Sequence, residues 1–267
     1  MYNRPRIIPV LLINNQDLVK TVQFKSPTYL GDSINAVKIF NIKGIDELSV
    51  LDIGATKNNQ EPDFDLLKDI ASQAFMPLSY GGGIKNIEQI KQLFKIGYEK
   101  VVINSTFFAN PDLVTEAANY AGSQSVVVSI DAKKIGNQYK CVINDGSKIL
   151  DISPVEAAIK AEKAGAGEIF LNSIDNDGMM QGYDLELVKN VTKAVDVPVI
   201  ACGGAGGIKD LKEVIQNAGA HAAAGGSMFV YYGRLKAVLI TAPSEKELIE
   251  CGIYDNQFVQ IEIIKDP

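Results

Sequence analysis

A pattern in the first half of the chain returns in the second. Pro77-Leu-Ser-Tyr-Gly-Gly-Gly83-Ile reappears as Pro198-Val-Ile-Ala-Cys-Gly-Gly204-Ala, with Gly82 and Gly203 offset by 121 residues. At the same offset Gly44-Ile-Asp-Glu-Leu-Ser-Val-Leu-Asp-Ile53 matches Gly165-Ala-Gly-Glu-Ile-Phe-Leu-Asn-Ser-Ile174. Asn104-Ser105-Thr-Phe107 matches Gly226-Ser227-Met-Phe229 at 122, and the opening run Ile7–Ile13 pairs with Val126–Ala132 at 119. A repeat this long describes two similar halves closing one core, not a solenoid of small units. The halves disagree where chemistry is expected: Asp131 ends one strand, and Leu12 holds the equivalent place.

Apolar runs alternate with helical patterns along the whole chain. Strands are expected near Ile7–Ile13, Glu47–Ile53, Pro77–Tyr80, Lys100–Ile103, Ser125–Ile130, Glu168–Asn172, Val197–Cys202 and Ala222–Gly225. These runs are short and Val/Ile-rich, as in parallel strands covered on both faces. Between them, Ile87, Ile90, Leu93 and Phe94 share one helical face, and Asp112 and Asp184 open helices as N-cap-type residues. The strand–helix alternation fits an open doubly wound sheet or a closed barrel. The two-fold repeat favours the barrel, because two four-strand halves close on each other without edges. The expected fold is therefore a single (β/α)8 TIM barrel built from two half-barrels and occupying residues 1–267. A hairpin excursion is expected near 134–150, where Asn144-Asp145-Gly146 supplies turn chemistry, and a C-terminal extension over 243–267. The alternation in Phe258–Lys265 suggests a short strand or docked segment there.

Composition narrows the function. A formal charge of −6 provides no basic face for nucleic acid, so small anions would be held by local backbone donors. No stretch approaches the ~20 apolar residues that span a bilayer, and the N-terminus lacks the pattern of a signal peptide. Cys141, Cys202 and Cys251 fit neither a disulfide framework nor a zinc pattern, which points to a reducing cytoplasm. With one histidine, His221, neither a His-rich metal site nor a Ser-His-Asp triad is expected, and no cofactor is implied.

In such barrels the loops after the strands form the active face. Gly81-Gly82-Gly83 follows the third strand, Asn104-Ser105 the fourth, Gly203-Gly204 the seventh and Gly226-Ser227 the eighth. Bare glycines and a hydroxyl ahead of a helix let backbone N–H groups approach a phosphate. One Gly-Gly pair could simply make a tight turn. Two matched sets on adjacent strand pairs point instead to a ligand with a phosphate at each end.

Arg6-Ile-Ile, Leu51-Asp52-Ile, Gly81-Gly-Gly-Ile84, Lys100-Val-Val-Ile-Asn104, Ser129-Ile-Asp131-Ala-Lys133, Gly165-Ala-Gly-Glu168-Ile, Ser173-Ile-Asp175-Asn-Asp177-Gly178, Gly182-Tyr-Asp184 and Gly203-Gly-Ala-Gly206 together resemble the cyclase subunit of imidazole glycerol phosphate synthase, over roughly residues 6–240. The resemblance implies a barrel that receives ammonia from a class I glutaminase subunit docked on its bottom. The ammonia joins a phosphorylated aminoimidazole nucleotide, and two aspartates split the adduct. Asp131 matches one of them. Lys20, Asp52, Asn104, Asn172, Asp177 and Ser227 fall on positions that contact substrate or phosphate, with Gly82, Gly83, Ser105, Gly178, Gly203, Gly204 and Gly226 completing the loops. Arg6, Glu47, Lys100 and Glu168 match the ring of alternating charges that gates ammonia. The other aspartate is absent, since Leu12 replaces it; Asp17, expected in a loop, is the nearest substitute.

Loss of one acid beside a retained gate suggests a paralogue that conducts ammonia toward another product. The stretch Phe24-Lys-Ser-Pro-Thr-Tyr-Leu-Gly-Asp32 is similar to the branch that converts acetamido sugars of surface glycans to acetamidino forms, together with a glutaminase and a third, amidotransferase-like enzyme. The alternatives are a genuine histidine-pathway cyclase and a non-catalytic scaffold that activates a glutaminase. His221 reads as a bottom-face residue, Cys202 as packing, and Lys133-Lys134 as a solvated loop.

Overall fold

The computed structural model describes residues 4–255. Eight parallel strands close on themselves: β1 Arg6–Asn14, β2 Leu48–Asp52, β3 Leu78–Gly81, β4 Lys100–Ile103, β5 Val126–Ile135, β6 Glu168–Ser173, β7 Val199–Cys202 and β8 Ala222–Gly225. Each pairs with the next, and β8 returns to β1 with Arg6 opposite Ala222 and Pro9 opposite Gly225. The fold is a (β/α)8 barrel, as the repeat and the strand rhythm predicted.

Closure makes two apolar compartments, because alternate side chains of each strand point to opposite faces. Ile8, Val10, Val102, Val127, Phe170, Ile200, Cys202, Ala222 and Ala224 pack in the lumen, with Leu12 and Leu51 partly buried at its upper end. The opposite parity, including Ile7, Leu11, Leu48, Val50, Val101, Val128 and Ile169, packs outward under the helices. On helix Ile87–Ile96 the inward face is the expected one: Ile90 and Leu93 are buried, with Ile87 and Phe94 packed beside them.

Helix starts are set by side-chain caps. Asp32, Asp63, Asn86 and Asp184 each accept from a backbone N–H one turn on, and Ser153 and Glu156 form a capping box. Asp112 departs from expectation. Pro111 takes the N-cap place and Asp112 is the first residue of helix Asp112–Ala121, because a proline fits the turn before a helix, where no donor is needed.

Two antiparallel excursions rise from the mouth. β5 runs past the barrel rim and folds back through Gln138–Ile143, with Asp131 opposite Val142 and Ile135 opposite Gln138. The Lys133-Lys134 pair therefore lies on a strand and not in a loop, since pairing with Lys140 and Tyr139 extends β5 beyond the rim. The counterpart after β1 is a ribbon of Asp17–Val22 and Lys25–Asp32, where Leu12 faces Val19 and Asn14 faces Asp17. Asp17, expected in a loop, opens this ribbon and is exposed.

Beyond β8 the chain makes a short helix, Ser227–Val230, and a small hairpin pairing Tyr231 with Val238. It then descends to helix Glu245–Glu250. Tyr254 closes this segment against the barrel bottom, where its hydroxyl donates to Asp46 and its ring carries the Arg4 guanidinium at 3.8 Å. The strand suggested near Phe258–Lys265 lies outside the described residues. Among the described residues no helix is long and apolar enough to cross a membrane.

Candidate active site at the barrel mouth and the charged ring beneath it

Chemistry-bearing residues gather at the two ends of the lumen. At the bottom, Arg6, Glu47, Lys100 and Glu168 stand at or immediately before the starts of β1, β2, β4 and β6, and alternate in sign around the axis. Arg6 donates to Glu47 Oε2 at 2.5 Å and to Glu168 Oε1 at 2.7 Å. Lys100 Nζ donates to Glu47 Oε2 at 2.8 Å and Glu168 Oε2 at 3.0 Å. The four side chains close a ring with a contact on every side, doubled between Arg6 and Glu168. Buried charges are tolerated only when paired and hydrogen-bonded, and here each carboxylate has two cationic partners. Burial of the Arg6 guanidinium would lower its pKa, but Glu168 and Glu47 outweigh that and raise it. His221 stays exposed just before β8, and its Nδ1 accepts from the Val199 N–H.

At the top, the inward rows end in Leu12 on β1 and Asp131 on β5, on opposite sides of the barrel. Asn104 donates to the Ser129 carbonyl at 3.0 Å and to Asp131 Oδ2 at 3.1 Å. Asn172 is buried, and its amide bonds Asp131 while its Oδ1 has no partner. Burial pushes the Asp131 carboxyl up to about 7, helped by the nearby Asp177 charge and opposed by the Asn172 and Asn104 hydrogen bonds. A carboxyl that exchanges its proton near neutrality is suited to general acid–base work.

The same shift predicts a stability effect. Because the folded state holds this proton more tightly than the unfolded chain, stability falls as pH rises from about 4 to about 7. Asp131→Asn is expected to remove on the order of 2 kcal/mol of that fall. Urea unfolding of both proteins at pH 5 and pH 8 checks it; equal pH slopes would contradict the shift.

The remaining mouth residues fall into two clusters. In one, Lys20 reaches in from the ribbon and is buried, donating to Asp177 Oδ1 at 3.1 Å and the Thr21 carbonyl at 2.7 Å. Its methylenes lie so close to Gly226 that a Cβ there would stand 2.8 Å from Lys20 Cε. Ser227 is buried beside it, Gly178 meets the ribbon at Thr21 and Val22, and Gly203 abuts Ser173 and Asn172. Gly204, at φ +114°, presses on the Gly182 carbonyl, so no side chain fits. In the other cluster, Asp52 Oδ1 accepts from Gly54 N at 2.8 Å and Ala55 N at 3.0 Å, yet burial still raises its pKa. Gly82, at φ +127°, packs against the Asp52 carbonyl, where a Cβ would come within 2.5 Å. Gly83 N donates to Thr56 Oγ1 at 3.4 Å, and Ser105 Oγ to Asn104 Oδ1 at 3.2 Å.

The ribbon also covers the site, which the sequence did not reveal. Gln23 N donates to the Asp177 carbonyl at 2.9 Å and Gln23 Nε2 to the Asp175 carbonyl at 2.8 Å. Phe24 lies against Gly146, in the turn between Gln138–Ile143 and Lys148–Ile149, so the two excursions meet over the mouth. Cys202 is buried in the lumen, and burial pushes its thiol far above the ordinary range, which fits packing and not nucleophilic attack. Among the described residues no cluster of His, Cys, Asp and Glu could hold a metal ion.

Comparison with known proteins adds a family and three relatives. The profile of the histidine biosynthesis protein family matches residues 6–236. A protein of Leptospira interrogans, provisionally named imidazole glycerol phosphate synthase subunit HisF, is 48% identical over 246 residues, covering 91% of this chain and 97% of that protein. A Pseudomonas aeruginosa protein provisionally named subunit hisF2 of the same synthase is also 48% identical, covering 92% and 98%. The subunit HisF of Clostridium botulinum strain Okra is 42% identical over 226 residues, covering 84% and 89%.

Proposed function

The chain belongs to the histidine biosynthesis protein family, as a HisF-like barrel, and on that premise we propose that it is the ammonia-accepting barrel of a glutamine amidotransferase system. Ammonia enters through the ring of Arg6, Glu47, Lys100 and Glu168 from a class I glutaminase docked on the strand-N-terminal face. It rises through the lumen to a phosphorylated ligand at the mouth, where Asp131 exchanges the proton.

The observation that carries this reading is the pairing of ends. A closed ring of four alternating charges blocks one end of the lumen, and a carboxyl with a near-neutral pKa waits at the other. Charge at the bottom of an ordinary barrel serves solubility and has no reason to converge on the axis. At the mouth, the two glycine clusters sit around Asp131, one near Asn104 and Ser105 and the other near Gly203, Gly204 and Ser227. The unpartnered Asn172 Oδ1 offers an acceptor to a ligand hydroxyl or amine.

Leu12 directs the reading away from histidine synthesis. Its side chain and Leu51, its register neighbour, make one side of the mouth apolar. The product that fits best is an acetamidino sugar of a surface glycan, made with a third, amidotransferase-like enzyme. Stimulation of a glutaminase from the same operon tests the reading. The chain is expected to raise glutamine hydrolysis well above the glutaminase alone, and crystals soaked in inorganic phosphate to show density at both glycine clusters. A glutaminase that neither binds nor responds would defeat the proposal.

A further inference from the structure

We propose that Ser49, on the lumen wall one inward step above the charged ring, is a hydrogen-bonding station for ammonia between the ring and Asp131. The inference rests on the ammonia-conducting reading above and assigns a residue to its path.

Ser49 is only 1% exposed, and its Oγ has no hydrogen-bond partner. A buried hydroxyl left unpaired is destabilising, so such a group points to a partner that comes and goes. Parity on β2 sets its direction: Glu47, Ser49 and Leu51 share the lumen face. Its register neighbours are Val10 on β1 and Ser79 on β3, and Ser79 stands in register with the ring's Lys100. Lys100, Ser79 and Ser49 therefore form a lateral row from the ring into the lumen. Higher up, on β5, Ser129 lies one inward step below Asp131.

The far wall is different. Its inward residues Phe170 on β6, Ile200 on β7 and Ala222 on β8 are apolar. In a closed parallel barrel the strand N–H and C=O groups are committed to the ladder, so a small polar solute in the lumen can bond only to side chains. Ammonia donates and accepts, and a serine hydroxyl does both. The apolar wall disfavours ammonium, which keeps the travelling species neutral.

Valine and threonine share a shape and differ by one hydroxyl, so Ser49→Val and Ser49→Thr isolate the hydrogen bond from the added bulk. In a crystal of the chain alone, the lumen is expected to hold an ordered water within hydrogen-bonding distance of Ser49 Oγ. Ser49→Thr retains that water and Ser49→Val loses it. With the glutaminase bound, Ser49→Val is expected to lower the product formed per glutamine hydrolysed about two- to tenfold, the worth of one hydrogen bond. Ser49→Thr should stay near the parent, and external ammonium chloride should serve parent and valine variant equally. A dry Ser49 Oγ in the crystal overturns the station whatever the glutaminase does. Equal transfer by parent, valine and threonine variants overturns it while leaving the ammonia-conducting reading intact. A parent that transfers no ammonia defeats that reading, and the station with it.

Discussion

Supplied with ammonium chloride and the phosphorylated aminoimidazole nucleotide, the chain is expected to form little or no imidazole glycerol phosphate. The reaction inferred for this family needs an acid and a base on opposite sides of the bound adduct. Here Asp131 faces Leu12 across the mouth, and Leu51 lies beside Leu12 in register. The isobutyl group moves no proton, and losing one general acid–base group with its local solvation costs about 3–5 kcal/mol of barrier, or 10²–10⁴-fold in rate. Asp17 does not replace it. That carboxylate is exposed at the start of the ribbon, paired in register with Asn14 and Asp32. Leu12→Asp is the constructive counterpart. The new carboxyl would enter a partly buried, apolar setting, at a stability cost of roughly 1–3 kcal/mol, and is expected to raise cyclase turnover above the parent. Parent turnover in the ordinary enzyme range of about 1–10³ s⁻¹ would overturn the proposed product and make the chain a histidine-pathway cyclase.

How far the sequence could be read depended on which residues announce a turn. The barrel was legible because buried parallel strands appear as short Val/Ile runs, and because the duplication left glycines where β3 and β7 enter their loops. The ring was legible only through the resemblance to the cyclase subunit, because charges at strand starts taken by themselves also fit a solvated barrel end. The ribbon over Asp17–Asp32 was not. Its bends are made by Asn15, Gln16, Gln23, Phe24 and Ser26, non-glycine residues held at φ between +50° and +72°. Side chains rarely adopt that region unless surrounding contacts hold them, so no local turn signature appears. The later excursion was visible because Asn144-Asp145-Gly146, the turn that joins Gln138–Ile143 to the short strand Lys148–Ile149, carries turn chemistry. Carrying that hairpin back by the 119-residue offset lands on the ribbon, so the repeat itself held the missing signal. Other features lie in tertiary contact alone: the buried Lys20–Asp177 pair is formed by residues 157 apart, and the free oxygens of Asn172 and Ser49 are known only once the barrel closes.

Lys100→Ala is expected to separate glutamine hydrolysis from ammonia delivery. In the parent, Lys100 bridges Glu47 and Glu168 while Arg6 bridges them from the other side, so no face of the ring is open. Truncation removes two of the ring's four sides and leaves two carboxylates sharing one guanidinium. Like charges then repel across the gap, and water can follow them into the lumen's lower end. Folding should survive, because the two carboxylates keep their Arg6 contacts, which holds the loss below the ~3–5 kcal/mol of leaving a buried charge with no partner. Delivery should suffer more. Ammonia that meets water at the ring becomes ammonium or escapes, so product per glutamate is expected to fall at least ~10-fold, equivalent to 1.4 kcal/mol or more. Glutamate release should continue, and the missing nitrogen should appear as free ammonium. Arg4→Ala is the control on the same face, since Arg4 contacts Asp46, Glu245 and Tyr254 and none of the ring's four members. A Lys100→Ala complex that still delivers one nitrogen per glutamate would mean the ring is structural and the ammonia travels by another route. A fall in hydrolysis and delivery together, with binding intact, would make Lys100 a relay to the glutaminase and not a gate.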